Sequence, residues 1–197
     1  MEIAHHRWPL WLLYSAAFMV IAAFSFGVFM MANRTLIWNM DGVTQHYPLM
    51  LELHRLLTKS GLAGVTGWSW TFGLGADKLT TLAYYVLGDP FAYLLALLPT
   101  HLIEAGYGWF VILRLYASGL AFLAFTRCYT FKPFSRLLGA LTYAFAGYSL
   151  MIGVHHPFFI LPMIWLPLLF LGIDRVLHGK GWAFLGAITG LTVLSNF

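Results

Sequence analysis

Charge is scarce in this chain. Only 9% of its 197 residues are Asp, Glu, Lys or Arg, against roughly 25% in a soluble domain. With 60% hydrophobic residues and a mean hydropathy of +0.78, that scarcity excludes an ordinary soluble domain and points to a polytopic membrane protein. Cysteine is nearly missing: Cys128 stands alone, so no intrachain disulfide can form. There is no phosphate-binding loop, no GxSxG and no CxxC, and no cofactor is expected. No basic run accompanies the pI of about 9.3, so nucleic acid is not an expected partner. Aromatic residues, by contrast, reach 18%, enough for belts at both membrane interfaces.

The first apolar run covers residues 8–32. It far exceeds a secretory h-region of about 7–15 residues, so it reads as an uncleaved transmembrane anchor. Further spans are expected at 107–126, 137–151, 158–173 and 182–197. The stretch 82–99, LAYYVLGDPFAYLLALLP, is apolar but broken at Gly88-Asp89-Pro90. Asp89 suits an N-cap and Pro90 the first helical position. The helix that follows, about 13 Å long, is too short for a hydrocarbon core of about 30 Å.

Charge placement agrees. If 82–99 does not cross and the N-terminus is cytoplasmic, Arg7, Arg127, Lys132, Arg136, Arg175 and Lys180 lie inside with Glu2 and Asp174, a net of +4. Outside lie Arg34, Arg55, Lys59 and Lys78 with Asp41, Glu52, Asp77, Asp89 and Glu104, a net of −1. The positive-inside rule favours this arrangement. The expected fold is therefore all-α: a single integral-membrane domain over 1–197, with about five transmembrane helices. A large first extracytoplasmic loop spans 33–106, and a short second one centres on GVHHP at 153–157. The chain ends inside an apolar run, which reads as the N-terminal part of a longer protein.

Within the first loop, 48–60 has a helical period, with Leu49, Leu53, Leu56 and Leu57 on one face and Glu52, Arg55 and Lys59 on the other. It reads as an amphipathic helix in the outer interface, in contact with membrane lipids. WSWTFGLGAD, 68–77, has no regular period and reads as a turn segment over the site or the bilayer surface.

The polar residues that stand out lie in DGVTQHYP, just after the first span: Asp41, Gln45 and His46. Asp41 suits a catalytic carboxylate, a helix N-cap or a solvated charge. Asp89 reads as a cap, and Asp77 is the weaker acid. Arg114 falls inside a span, roughly 10 Å below its outer end. A buried arginine there needs a partner or a wet cavity: a phosphate ligand, a structural pair with an acid, and snorkelling all stay open. His155 and His156 flank Pro157 and read as acceptor or phosphate ligands or as solvated histidines. Adjacent histidines (His5-His6, His155-His156) are poorly spaced to chelate one ion, so no metal site is expected.

The order of these pieces resembles the YfhO-type bacterial membrane proteins. The resemblance is carried by "DGVTQHYP", "WSWTFGLGAD", "YYVLGDPFAYLLALLP", "ILRLYASGLAFLAF", "LGALTYAFAGY", "HHPFFILPMIWLPLLFLGIDRVL" and the terminal "NF". It covers the chain from about Asn39. That family resembles the GT-C class of integral-membrane glycosyltransferases. What it implies is transfer of a sugar from a polyprenyl-phosphate donor to a cell-envelope polymer such as teichoic acid, or to a lipid acceptor, at the bacterial plasma membrane. It also implies short surface helices after the first span, matching 48–60 and 90–98. By the same resemblance, Asp41 is the catalytic base. Arg114, Gln45, His46, Lys78, His155 and His156 bind substrate, with Arg55 a further available cation. Two other function classes stay open: a transporter or flippase for a lipid-linked sugar, and a non-catalytic membrane scaffold.

Overall fold

The computed structural model describes residues 9–195. Trp8, the residues Glu2, His5, His6 and Arg7 that are expected on the cytoplasmic side, and the terminal Asn196-Phe197 of the resemblance lie outside the described residues. The described chain is helical apart from one two-residue strand pair. Its elements are α1 (Leu10–Met31), α2 (Tyr47–Ser60), β1 (Trp68–Ser69), β2 (Ala76–Asp77), α3 (Lys78–Leu82), α4 (Pro90–Ala96), α5 (Ile103–Phe125), α6 (Pro133–Ala144), α7 (Leu161–Leu177) and α8 (Ala183–Leu194).

Among the described residues, three helical stretches are long and apolar enough to cross a membrane: Leu10–Met31, Thr100–Cys128 and Pro157–Leu177. At 22 residues, α1 is about 33 Å long, enough for the hydrocarbon core. It is apolar all round and buries only the stripe Tyr14, Phe18, Ala22 and Phe26. Phe24, Val28 and Met31 stay exposed on its other sides, as a lipid-facing helix requires. The stripe packs on α5, where the Tyr14 hydroxyl donates to the Tyr116 carbonyl at 3.0 Å. Gly119 makes room for it, since a methyl there would overlap the Tyr14 hydroxyl.

The spans expected at 137–151 and 182–197 take a different form. The first is a broken element: α6 ends at Ala144, the chain kinks over 145–146, and a π-helical turn follows at Ser149–Gly153. Residues 133–156 nevertheless connect the two ends of the bundle. Near its start, Arg136 donates to Thr126 Oγ1 (3.0 Å) and the Leu123 carbonyl (3.2 Å) at the end of α5. Near its finish, His156 meets His46 of the first loop at 3.0 Å. Likewise α8 has 12 residues, and Ser195 after it donates to the Gly88 carbonyl of the first loop at 2.9 Å. Both shorter elements thus run beside the three long helices rather than across their ends.

The Gly88-Asp89-Pro90 break is built from three separate needs. A Cβ on Gly88 would collide with the Leu194 carbonyl, so glycine permits backbone to meet backbone. Asp89 caps α4, accepting from the Phe91 N–H at 2.9 Å. Pro90 occupies the first turn, where a missing N–H costs nothing. With seven residues, α4 does not cross, in agreement with the short helix expected there.

The first loop packs as part of the protein. α2 buries Met50, Leu53, His54 and Leu56. His54 bonds the Ala96 carbonyl (2.7 Å) and Thr100 Oγ1 (3.0 Å), tying α2 to the end of α4. The apolar face that reads as an interfacial anchor is therefore turned onto α4. The segment 68–77 closes as a small antiparallel hairpin, Trp68 opposite Asp77 and Ser69 opposite Ala76. Glycines at positive φ, Gly73 and Gly75, make its turn, and Trp68 and Trp70 are exposed.

Candidate active site

The first span ends sharply. Asn33 takes a left-handed conformation (φ 51°), its N–H bonds the Met30 carbonyl, and the Arg34 N–H bonds the Phe29 carbonyl. This is a Schellman-type stop with asparagine in the position glycine usually takes. The chain then doubles back to Asp41, where a new helix starts with a π-helical turn, Gly42–His46, continuous with α2. Two further π turns flank the same region: Ala83–Leu87, which carries Tyr85, and Ser149–Gly153, which delivers His155 and His156. Such turns displace side chains from regular helical register and are frequent at functional sites.

Asp41 does not cap the helix it begins, as its side chain makes no capping hydrogen bond. Its Oδ1 accepts instead from Gln45 Nε2 at 3.1 Å, and Gln45 Oε1 accepts from the Tyr85 hydroxyl at 2.7 Å. Its Oδ2 faces His156 Nδ1 at 3.9 Å. The carboxylate is 40% exposed, so it is held yet reachable.

His46 lies behind it, 4% exposed, with the rings of Phe158 and Tyr85 at 4.8 and 5.9 Å. Its Nε2 meets His156 Nδ1 at 3.0 Å, while its Nδ1 has no partner among the described residues. Burial, then the neighbouring His156, pushes the His46 pKa down to about 4, only partly offset by Asp41. His46 is therefore neutral at physiological pH. His155 stacks flat on Trp38 at 4.4 Å, and His156 meets the same indole edge-on at 5.4 Å.

So Asp41, Gln45, His46 and His156 come together, with His155 one stacked ring away. Three other cations named from the sequence are engaged elsewhere. Arg114 is buried, pairs with Asp89 and donates to the Phe110 carbonyl at 3.2 Å. Lys78 donates to the Gly64 carbonyl at 2.6 Å, inside the first loop. Arg55 pairs with Glu52 on the exposed face of α2 at 2.5 Å. Asp77 caps α3 through the Thr80 N–H and hydroxyl, and those hydrogen bonds hold its carboxyl below the usual range.

Residues that sequence reasoning passed over complete the site. Trp38, Tyr85 and Phe158 form its walls. Arg34, counted there only as an outer charge, lines both neighbouring clefts. One of about 610 Å³ lies between the end of α1 and the start of α5 and includes His101, Glu104 and Trp109. The other, about 420 Å³, includes Trp38, Asn39 and His155. The Arg34 side chain is exposed and makes no ion pair among the described residues. Position was the available signal: Arg34 and Trp38 immediately precede the Asp41 motif.

The family model described as bacterial membrane protein YfhO matches residues 12–197. The chain belongs to the YfhO family. No curated protein and no solved structure matches it. The three π turns, the Asp41–Gln45–Tyr85 chain and the paired histidines are therefore features of a YfhO-family membrane protein read from this chain's own geometry.

Proposed function

We propose that this YfhO-family protein is a GT-C-type glycosyltransferase. It transfers a sugar from a polyprenyl-phosphate donor to a hydroxyl of a cell-envelope polymer such as teichoic acid, or of a lipid acceptor, with Asp41 as the base. The observation that carries the reading is the state of Asp41. It is an uncapping, part-exposed carboxylate, oriented by Gln45 and set beside a neutral histidine. Asp41 takes the proton of the acceptor hydroxyl as its oxygen attacks the anomeric carbon, and the polyprenyl phosphate leaves with the electron pair of the broken bond. General-base help of about 10²–10⁴-fold and positioning would carry the rate.

The leaving phosphate needs a cation or hydrogen-bond donors. Arg114 has its guanidinium buried against Asp89, so this role passes to Arg34, which makes no ion pair among the described residues and lines both clefts. His155 and Trp38 offer a flat stacked wall suited to a sugar face. In this reading the site faces outward from the plasma membrane and the N-terminus is cytoplasmic. Cysteines at Thr66 and Gly153, in a Cys128-free background, then label with an impermeant reagent from outside, and one at Ser135 does not. Labelling of Ser135 from outside would overturn that orientation.

The deciding assay is sugar transfer from a polyprenyl-phosphate donor in detergent, comparing wild type with Asp41→Asn. The amide keeps the size and the Gln45 contact but takes no proton at neutral pH, so transfer should vanish while donor binding persists. Movement of the lipid-linked sugar across vesicles without a new glycosidic bond would identify a transporter. Full transfer by Asp41→Asn would remove Asp41 from the chemistry.

A further inference from the structure

Neighbouring histidines such as His155 and His156 are poorly spaced to share one ion. The fold instead brings together donors far apart in the chain. His46 arrives from the first loop and His156 from the turn before α7, and Asp41 lies one helical turn before His46. One donor atom from each lies within 4.8 Å of the others. We propose that Asp41, His46 and His156 form a binding site for a divalent first-row transition ion such as zinc(II).

Spacing supports this. Two ligands each about 2.0–2.1 Å from a zinc ion stand about 3.3 Å apart at a tetrahedral angle. The two imidazole nitrogens are 3.0 Å apart, and the His156 Nδ1–Asp41 Oδ2 separation is 3.9 Å. Closing the remaining gap needs only a small rotation of Asp41, the most exposed of the three side chains. The donor set, two imidazoles and one carboxylate with an open side, is one that zinc and other first-row divalent ions accept.

The protein also supplies what such a site needs around it. His46 is locked between Phe158 and Tyr85, so its ring is placed in advance. Asp41 is oriented from behind by Gln45, and Gln45 by Tyr85, which is how outer partners aim a ligand. An ion between the rings would engage His46 Nε2 and His156 Nδ1, the two nitrogens that otherwise face each other across a single hydrogen bond.

The inference deepens the reading of Asp41 without resting on sugar transfer, because ion binding is measured with no donor present. If both hold, an ion held by Asp41, His46 and His156 would lower the pKa of an acceptor hydroxyl bound to it.

The test uses the full chain in detergent, purified without a histidine tag and with His5 and His6 replaced by alanine. It is loaded with zinc(II), dialysed against metal-free buffer and assayed for metal, with cobalt(II) as a spectroscopic probe. Wild type should retain about one ion per chain and give cobalt ligand-field bands in the visible. His156→Ala, a partly exposed change compatible with folding, should weaken binding by at least the roughly 10–100-fold that loss of an outer partner costs. Asp41→Ala should do the same, and His155→Ala should bind as wild type does. Size-exclusion profiles confirm that the variants are folded. Failure of wild type to retain an ion, or equal retention by His156→Ala and Asp41→Ala, would overturn the proposal. Loss of transfer with retained zinc would count against the glycosyltransferase reading alone.

Discussion

Two acid–base groupings sit within this molecule, and they differ in almost every respect. Asp89 and Arg114 meet inside the bundle, both buried. Asp89 also caps α4, and the guanidinium lies over the Phe91 ring at 5.2 Å. Asp41, His46 and His156 meet at the end of the bundle, with one long contact, one orphaned ring nitrogen and an exposed carboxylate. The first grouping is sealed from solvent, although Arg114 Nε has no partner among the described residues, and it reads as architecture. The second is open and under-satisfied, and groups of that kind are where chemistry is found. Charge type does not separate them, and each holds one buried nitrogen without a partner among the described residues; access is what differs.

The sharpest way to break this comparison is Arg114→Leu. It leaves Asp89 charged, buried and unpaired, and removing one partner of a buried pair costs about 3–5 kcal/mol. Loss of folded protein in detergent, seen by thermal denaturation, is the expected result. Arg114→Lys should fall between, since lysine keeps the charge but loses the planar fork. A stable Arg114→Leu protein with weakened donor binding would return Arg114 to the substrate site.

Next in size is the pH response of His46. Its folded pKa lies below the ordinary value of 6.5, so below that pH the unfolded state binds the proton more readily. The resulting stability is complete above about 6.5 and is lost progressively as pH falls toward 4. The effect is on the order of 2–3 kcal/mol. Melting temperature measured against pH checks it: the wild-type slope between pH 6.5 and 4 should flatten in His46→Gln. An unchanged slope would assign it to another group.

Smaller still is Asp41→Asn. Because Asp41 does not cap its helix, this change should alter stability by no more than about 0.5 kcal/mol, whatever it does to activity. A larger loss of melting temperature would make Asp41 structural and blur the contrast with Asp89. The least effect is expected from Arg55→Ala, whose exposed i,i+3 pair with Glu52 is worth about 0–1 kcal/mol. Chemical denaturation curves that nearly overlay those of wild type are the expected outcome.

Much of the architecture was legible. Apolar runs longer than a bilayer is thick specify spans by themselves, because backbone polar groups in lipid must bond within the helix. The short helix after Asp89-Pro90 and the helix at 48–60 were equally readable, from a cap, a proline and a 3.6-residue period. The kink between α6 and the Ser149–Gly153 turn was not, although Gly147 and Ser149 stand beside it, since small residues are common inside spans and whether one breaks the helix depends on packing. The anchoring face of α2 was visible, but what it would anchor to was not.

The candidate site divides in the same way. Local sequence determined that Asp41, Gln45 and His46 lie together, because one helical turn separates them and covalent spacing suffices. Only the tertiary structure decided that His156, 110 positions away from His46, completes the cluster, that Tyr85 steadies Gln45, and that Asp89 claims Arg114. Those pairings depend on which helix faces which. That choice is made by side-chain fit across the whole bundle, such as Gly119 admitting Tyr14 and Gly88 admitting the end of α8, and it leaves no period or spacing in the chain.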